Sequence, residues 1–204
     1  MKLDPPPVRE LGEALDAPTP CQTSLSRLAE RRSTPALTLK APGPTAAELD
    51  MMLRLAARTP DHGKLAPWRF ILAEAEAKAA LVAELEAMAA EREDAKKAAG
   101  GVAKLAAPPT AVFVVSRAAP AHIPEWEQLM SAGAACMNLL HAAHALGYGA
   151  NWITEWYAYE APARARIGLE EHERLAGVVL LGTPEGPPLE RDRPDIDALV
   201  SRLT

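Results

Sequence analysis

Cysteine is scarce in this chain. Cys21 and Cys136 are the only two. They stand far apart with no Cys-x-x-Cys, so neither a zinc pattern nor a disulfide framework is written here. A reducing compartment suits such a chain, and the expectation is a cytoplasmic protein. Basic runs are also missing. The net charge is -5 and the sequence pI is about 5.6, which argues against nucleic acid as a partner. No apolar run approaches the length of a membrane span, and the N-terminus lacks a basic-then-apolar leader. A G-x-G-x-x-G fingerprint is absent, so no Rossmann dinucleotide site is expected. His141 and His144 lie one turn apart, but no third ligand accompanies them. They read as core or interface residues, and no metal is expected.

What is present is enough for one packed domain. The chain has 204 residues, 49% of them hydrophobic, which suits a single core with tails. Residues 1–22, with Pro5-Pro6-Pro7, read as an N-terminal tail or arm. Residues 23–204 read as one domain, with a C-terminal arm from about 185. Thr23 or Ser24 is expected to cap a short helix with Leu25, Leu28 and Ala29 on one face. Arg31-Arg32-Ser33 follows. Two guanidinium forks and a hydroxyl suit a phosphate; equally, cations suit a helix C-terminus through its dipole. Residues 34–44 read as an extended linker.

Thr45 and Glu48 then form a capping box. Leu49, Met52, Leu53 and Ala56 recur at helical spacing. The helix delivers a loop, Thr59 to Phe70, punctuated by Pro and Gly yet carrying Asp61, His62 and Lys64, with Arg58 just ahead. Charge on a loop between a helix and a strand suggests a site. Asp61 reads as a turn residue and Lys64 as a solvated or phosphate-side cation. Residues 68–73 read as a strand. Residues 74–99 have strong helical composition and stop at Gly100-Gly101. Residues 111–115 are a continuous apolar run, as in a strand covered on both faces.

Pro124 opens a helix that runs to about Leu146 and stops at Gly147. Its middle, Ser131 to Met137, consists mostly of small residues, which predicts a tightly packed central helix. A strand over residues 149–156, a short helix over 162–167 and a strand over 175–181 complete the domain. A last turn is expected within 195–203. Helices and strands in this arrangement predict an α+β, or α/β layered, domain.

Five pieces in this order resemble the nitroreductase family of flavin enzymes, in particular its small YdjA-type branch. They are Arg31-Arg32-Ser33; Arg58-Thr59-Pro60-Asp61-His62 leading to Pro67-Trp68-Arg69-Phe70; Trp126-Glu127 through Met130-Ser131-Ala132-Gly133; Gly149-Ala150-Asn151-Trp152; and Leu181-Gly182-Thr183-Pro184. The resemblance spans residues 25–184. It implies a central, mainly antiparallel sheet flanked by helices, in an intertwined homodimer with FMN at the subunit interface. It implies NADH or NADPH as electron donor and a nitroaromatic, quinone or similar acceptor.

Carried over residue by residue, the implied FMN contacts are Arg31, Arg32, Ser33, Arg58, His62, Trp152, Ile153 and Thr154. Arg58 and His62 would come from the other subunit. The branch often has Arg-Ser where Ile153-Thr154 stand here, so a side-chain contact from Arg is lost at that point. Larger members place a C-terminal cation on the phosphate, for which Arg191 and Arg193 are the candidates. Trp126 and Trp156 either flank the substrate or belong to interface and core. No catalytic side chain is expected, because a flavin carries the chemistry itself. An alternative reading is a flavin-binding protein without turnover.

Overall fold

Residues 5–203 are described by a computed structural model; residues 1–4 of the expected tail, and Thr204, lie outside them. In chain order the elements are α1 (Gln22–Ala29), β1 (Leu39–Lys40), α2 (Ala46–Ala56), β2 (Trp68–Glu74), α3 (Ala75–Ala90) and α4 (Ala95–Ala106). Then come β3 (Thr110–Ser116), α5 (Glu125–Ala145), β4 (Gly149–Ile153), α6 (Ala161–Ile167) and β5 (Arg174–Pro184). All strand pairs are antiparallel. The order β2-β3-β5 continues along the other edge of β5, where β4 pairs residues 178–182 and β1 pairs Thr183 and Pro184. The sheet is flanked by helices, as expected.

Side-chain alternation divides the core in two. Ala111, Phe113, Val115, Val178 and Leu180 face α3, α4 and α6. Val112, Val114, Val179 and Leu181 face α2 and α5. This is why residues 111–115 are apolar without a break: both faces are covered. The small residues of α5 work as expected. Ala132, Ala135, Cys136 and Ala143 are fully buried, which lets the helix backbone lie close to the sheet. Burial pushes the Cys136 thiol up to about 12, so it is an inert packing group. The capping box forms: the Thr45 hydroxyl accepts from the Glu48 N–H, and the Glu48 carboxylate accepts from the Thr45 N–H.

Four expectations are corrected. Helix α1 begins at Gln22 with Cys21 as its N-cap and no side-chain cap. The Ser24 hydroxyl instead donates to the Cys21 sulfur at 3.2 Å. Leu25 and Leu28 are more than half exposed. The expected linker over residues 34–44 contains β1, which forms only because β5 extends far enough to pair with it.

The single helix over residues 74–99 is two helices. Arg92 ends the first: its side chain pairs with Asp94 and Glu160 and lies 4.8 Å above the Trp156 ring. The chain turns back there, and α4 packs on α3. Gly100 and Gly101 therefore lie inside α4. The Glu155 carboxylate sits where a Cβ on Gly101 would be, 2.8 Å away. Strand β4 stops at Ile153, and Trp156 begins a 3₁₀ turn over Trp156–Ala158.

Candidate functional site

The Arg31-Arg32-Ser33 segment leaves α1 and runs straight onto the edge of the sheet. The Thr34 N–H donates to the Ala150 carbonyl at 2.9 Å, and Asn151 Nδ2 donates to the Thr34 carbonyl at 2.6 Å. Two hydrogen bonds thus hold the arginine segment beside β4, whose next residues are Trp152 and Ile153. Arg31 also stands near the last turns of α5. Burial lowers the pKa of His141 and His144, and the Arg31 charge lowers both further. Both imidazoles are therefore favoured in the neutral form beside that cation. Arg31 has no ion-pair partner among the described residues. Arg32 donates from Nε to the Leu189 carbonyl at 2.7 Å and lies 3.8 Å from Glu190.

Trp152 lies across β5. Its Nε1 donates to the Ala176 carbonyl at 3.2 Å, and the indole occupies the space that a Cβ on Gly177 would need. The Trp152 side of β4 is open, with the residue 39% exposed. Ile153 packs into the core beside α6. The Thr154 hydroxyl accepts from the Tyr159 hydroxyl at 3.1 Å.

The charged loop is built differently. Gly63, Lys64 and Ala66 all have positive φ, which turns the chain sharply. The Asp61 carboxylate accepts from the Ala66 N–H at 2.7 Å, so Asp61 is the turn residue expected. Helix α5 pins the loop at three levels. His62 Nδ1 meets Glu127 Oε2 at 2.8 Å. The Ser131 hydroxyl donates to the Pro60 carbonyl at 2.8 Å and accepts from Trp68 Nε1 at 3.2 Å. Asn138 Nδ2 donates to the Thr59 hydroxyl at 2.8 Å. Arg58 beside it is exposed.

Glu127, Ser131 and Asn138 were not expected to hold this loop. The signal was there: polar residues at positions i, i+4 and i+11 share one face of an otherwise apolar helix. The structure therefore brings Arg31, Arg32 and Ser33 together with Trp152, Ile153 and Thr154. It does not bring His62 to Arg31. His62 sits at the level of Glu127 and Arg31 at the level of His141, a separation of roughly 21 Å along α5 at its usual rise.

Trp156 is a core residue, half-buried, with Nε1 donating to the Ala98 carbonyl at 3.1 Å. Trp126 is 66% exposed and lines a groove of about 480 Å³ with Pro120, Leu129, His172 and Arg174. No cluster of potential metal ligands exists among the described residues. Nor is any helix among them long and apolar enough to cross a membrane.

This sheet, the arginine segment tied to β4 and the loop pinned on α5 define a known class. The chain belongs to the nitroreductase family of oxidoreductases, whose model matches residues 28–183. It is similar to YdjA of Escherichia coli (strain K12), named as a candidate NAD(P)H nitroreductase, with 36% identity over 165 residues that cover 79% of this chain and 88% of the relative. Its fold is also that of a nitroreductase-like family protein from Bacillus cereus, with a TM-score of 0.80 and 23% identity over 92% of this chain and 99% of the other. A nitroreductase with bound FMN from Bacteroides fragilis superposes with a TM-score of 0.70 and 20% identity, over 90% of this chain and all of the other.

Proposed function

We propose that the protein is an FMN-dependent oxidoreductase that takes electrons from NADH or NADPH and passes them to a nitroaromatic, quinone or similar acceptor. The observation that carries this reading is the pairing of Thr34 with Ala150 and Asn151. It sets two guanidinium groups and a hydroxyl beside the partly open face of a strand. An elongated ligand with a phosphate at one end and a flat ring at the other meets that need.

The residues fit the cofactor. Among the described residues Arg31 has no ion-pair partner, and Arg32 is tied to a backbone carbonyl and a distant carboxylate. A flavin phosphate brings roughly two negative charges, and each charge-assisted hydrogen bond to it contributes about 1.5–3 kcal/mol. Trp152, Ile153 and Thr154 offer the ring main-chain groups and the open edge of β4. Bound FMN supplies the relay of electrons between nicotinamide and acceptor. The protein orients it and surrounds it with positive charge, which favours the reduced, more anionic form.

Arg58 and His62 serve the flavin of a second copy of the chain. The separation of His62 from Arg31 within one chain supports this. So do the exposed apolar residues Leu25 and Leu28 on α1, and Trp126 and Met130 on α5, which a partner would cover.

The test is direct. Purified protein should be yellow, or become so with FMN. Anaerobic addition of NADH or NADPH should bleach it, and an acceptor should restore the colour. A preparation that stays colourless after incubation with excess FMN sinks the proposal. Yellow protein that neither nucleotide bleaches would instead mark a flavin carrier without turnover.

A further inference from the structure

The C-terminal arm does not hang free. Beyond Glu185, every hydrogen bond and ion pair that ties residues 186–203 to the rest of the chain, among the described residues, ends on Arg31 or Arg32. Arg32 Nε donates to the Leu189 carbonyl at 2.7 Å, and an Arg193 terminal nitrogen donates to the Arg31 carbonyl at 3.2 Å. Between the two guanidinium groups stands Glu190. Its Oε1 accepts from Arg193 at 2.9 Å and lies 3.8 Å from Arg32 Nε. The adjacent Arg191 N–H lowers the pKa of this carboxyl first, with Arg193 and Arg32 adding to the effect, so it is ionised at neutral pH. Arg191 itself turns away, onto the Asp192 carbonyl.

We propose that Glu190 is an internal competitor for the anion site at Arg31-Arg32, so that binding of a phosphate group there and the position of the C-terminal arm are coupled. A carboxylate and a phosphate recognise the same guanidinium fork. Both cannot sit on Arg32 without like-charge repulsion. A phosphate monoester carries the larger charge and displaces the carboxylate. Glu190 then leaves Arg32 and Arg193, and the arm keeps only its Leu189 and Arg193 bonds to Arg32 and Arg31. This inference rests on the FMN reading for the identity of the anion.

Glu190→Gln removes the competing charge from an exposed position without disturbing the core. The variant should bind FMN about two- to fivefold more tightly than the wild type, the range set by an exposed ion pair. Riboflavin has the same ring and no phosphate, so its affinity should not change. Unchanged FMN affinity overturns the proposal. An equal gain for riboflavin also overturns it, because the effect would not then run through the phosphate. Should the wild type bind no FMN, the cofactor reading fails separately. The competition is then read by calorimetry with inorganic pyrophosphate: tighter binding by Glu190→Gln supports it, and equal binding overturns it.

Discussion

Glu173 is 1% exposed, yet it carries a charge. Both its oxygens accept from Arg69, at 2.7 and 2.6 Å; the Glu170 N–H donates at 2.9 Å, and Arg117 stands at 3.7 Å. The Arg69 hydrogen bonds, above all, hold this carboxyl at about 2, well below its ordinary value of 4.5. A depressed carboxylate stabilises the fold above its unfolded value and loses that contribution as pH falls through the folded one. Glu173→Gln should therefore cost about 3 kcal/mol at neutral pH. Its deficit relative to wild type should shrink between pH 4.5 and about 2. Urea titrations at several pH values check this, and a deficit independent of pH would refute it. A second residue-scale prediction concerns Gly177. A methyl group there collides with the Trp152 indole, so Gly177→Ala should expel the ring and break its bond to Ala176. The expected result is a changed tryptophan emission spectrum together with weaker flavin binding. An unchanged spectrum would show that the indole is not seated there.

At the scale of elements, α5 is the spine of the molecule. It fills one face of the sheet with small residues and holds the charged loop with Glu127, Ser131 and Asn138. Ser131→Ala should leave the Pro60 carbonyl and the Trp68 indole N–H short of a partner, at a cost of about 1–3 kcal/mol. Amide exchange should rise in residues 59–66 before it rises in the sheet. Equal acceleration everywhere would mean the serine supports the fold rather than the loop. The ends of α5 were legible because Pro124 and Gly147 punctuate it. Strands β2, β3 and β5 were legible from apolar runs between turn residues. The break between α3 and α4 was not, since Ala, Glu and Lys favour helix throughout and the interruption depends on Arg92 meeting Trp156 and Glu160. Nor was β1, a two-residue pairing decided by the reach of β5. The charges of the arginine segment were legible but suited a helix end as well as a phosphate, and only the resemblance to the family singled the segment out. Its place beside β4 could not be read, because that depends on a pairing between residues more than a hundred positions apart.

For the whole molecule, the sharpest prediction concerns two copies. One variant lacks Arg31 and Arg32; the other lacks Arg58 and His62. Each alone should be inactive. Dissociated, mixed and reassociated, they should form about half mixed dimers, each with one site carrying both lesions and one carrying neither. About a quarter of all sites should then recover. No recovery, with mixed dimers shown to form, would mean that the loop serves its own chain.

The placement of β5 bears on how the protein is made. This strand lies inside the sheet, bonded to β3 on one edge and to β4 and β1 on the other, yet it is the last strand in chain order. During synthesis the ribosome delivers β1, β2, β3 and β4 first. Of these, only β2 and β3 can pair with each other. The nascent chain must therefore wait, with much of its sheet unformed, until β5 has emerged. Long-range strand pairing of this kind is slow and leaves apolar edges exposed to aggregation. Chains that terminate before residue 174 should accumulate as insoluble or degraded fragments, whereas chains that end just after the sheet is complete should fold.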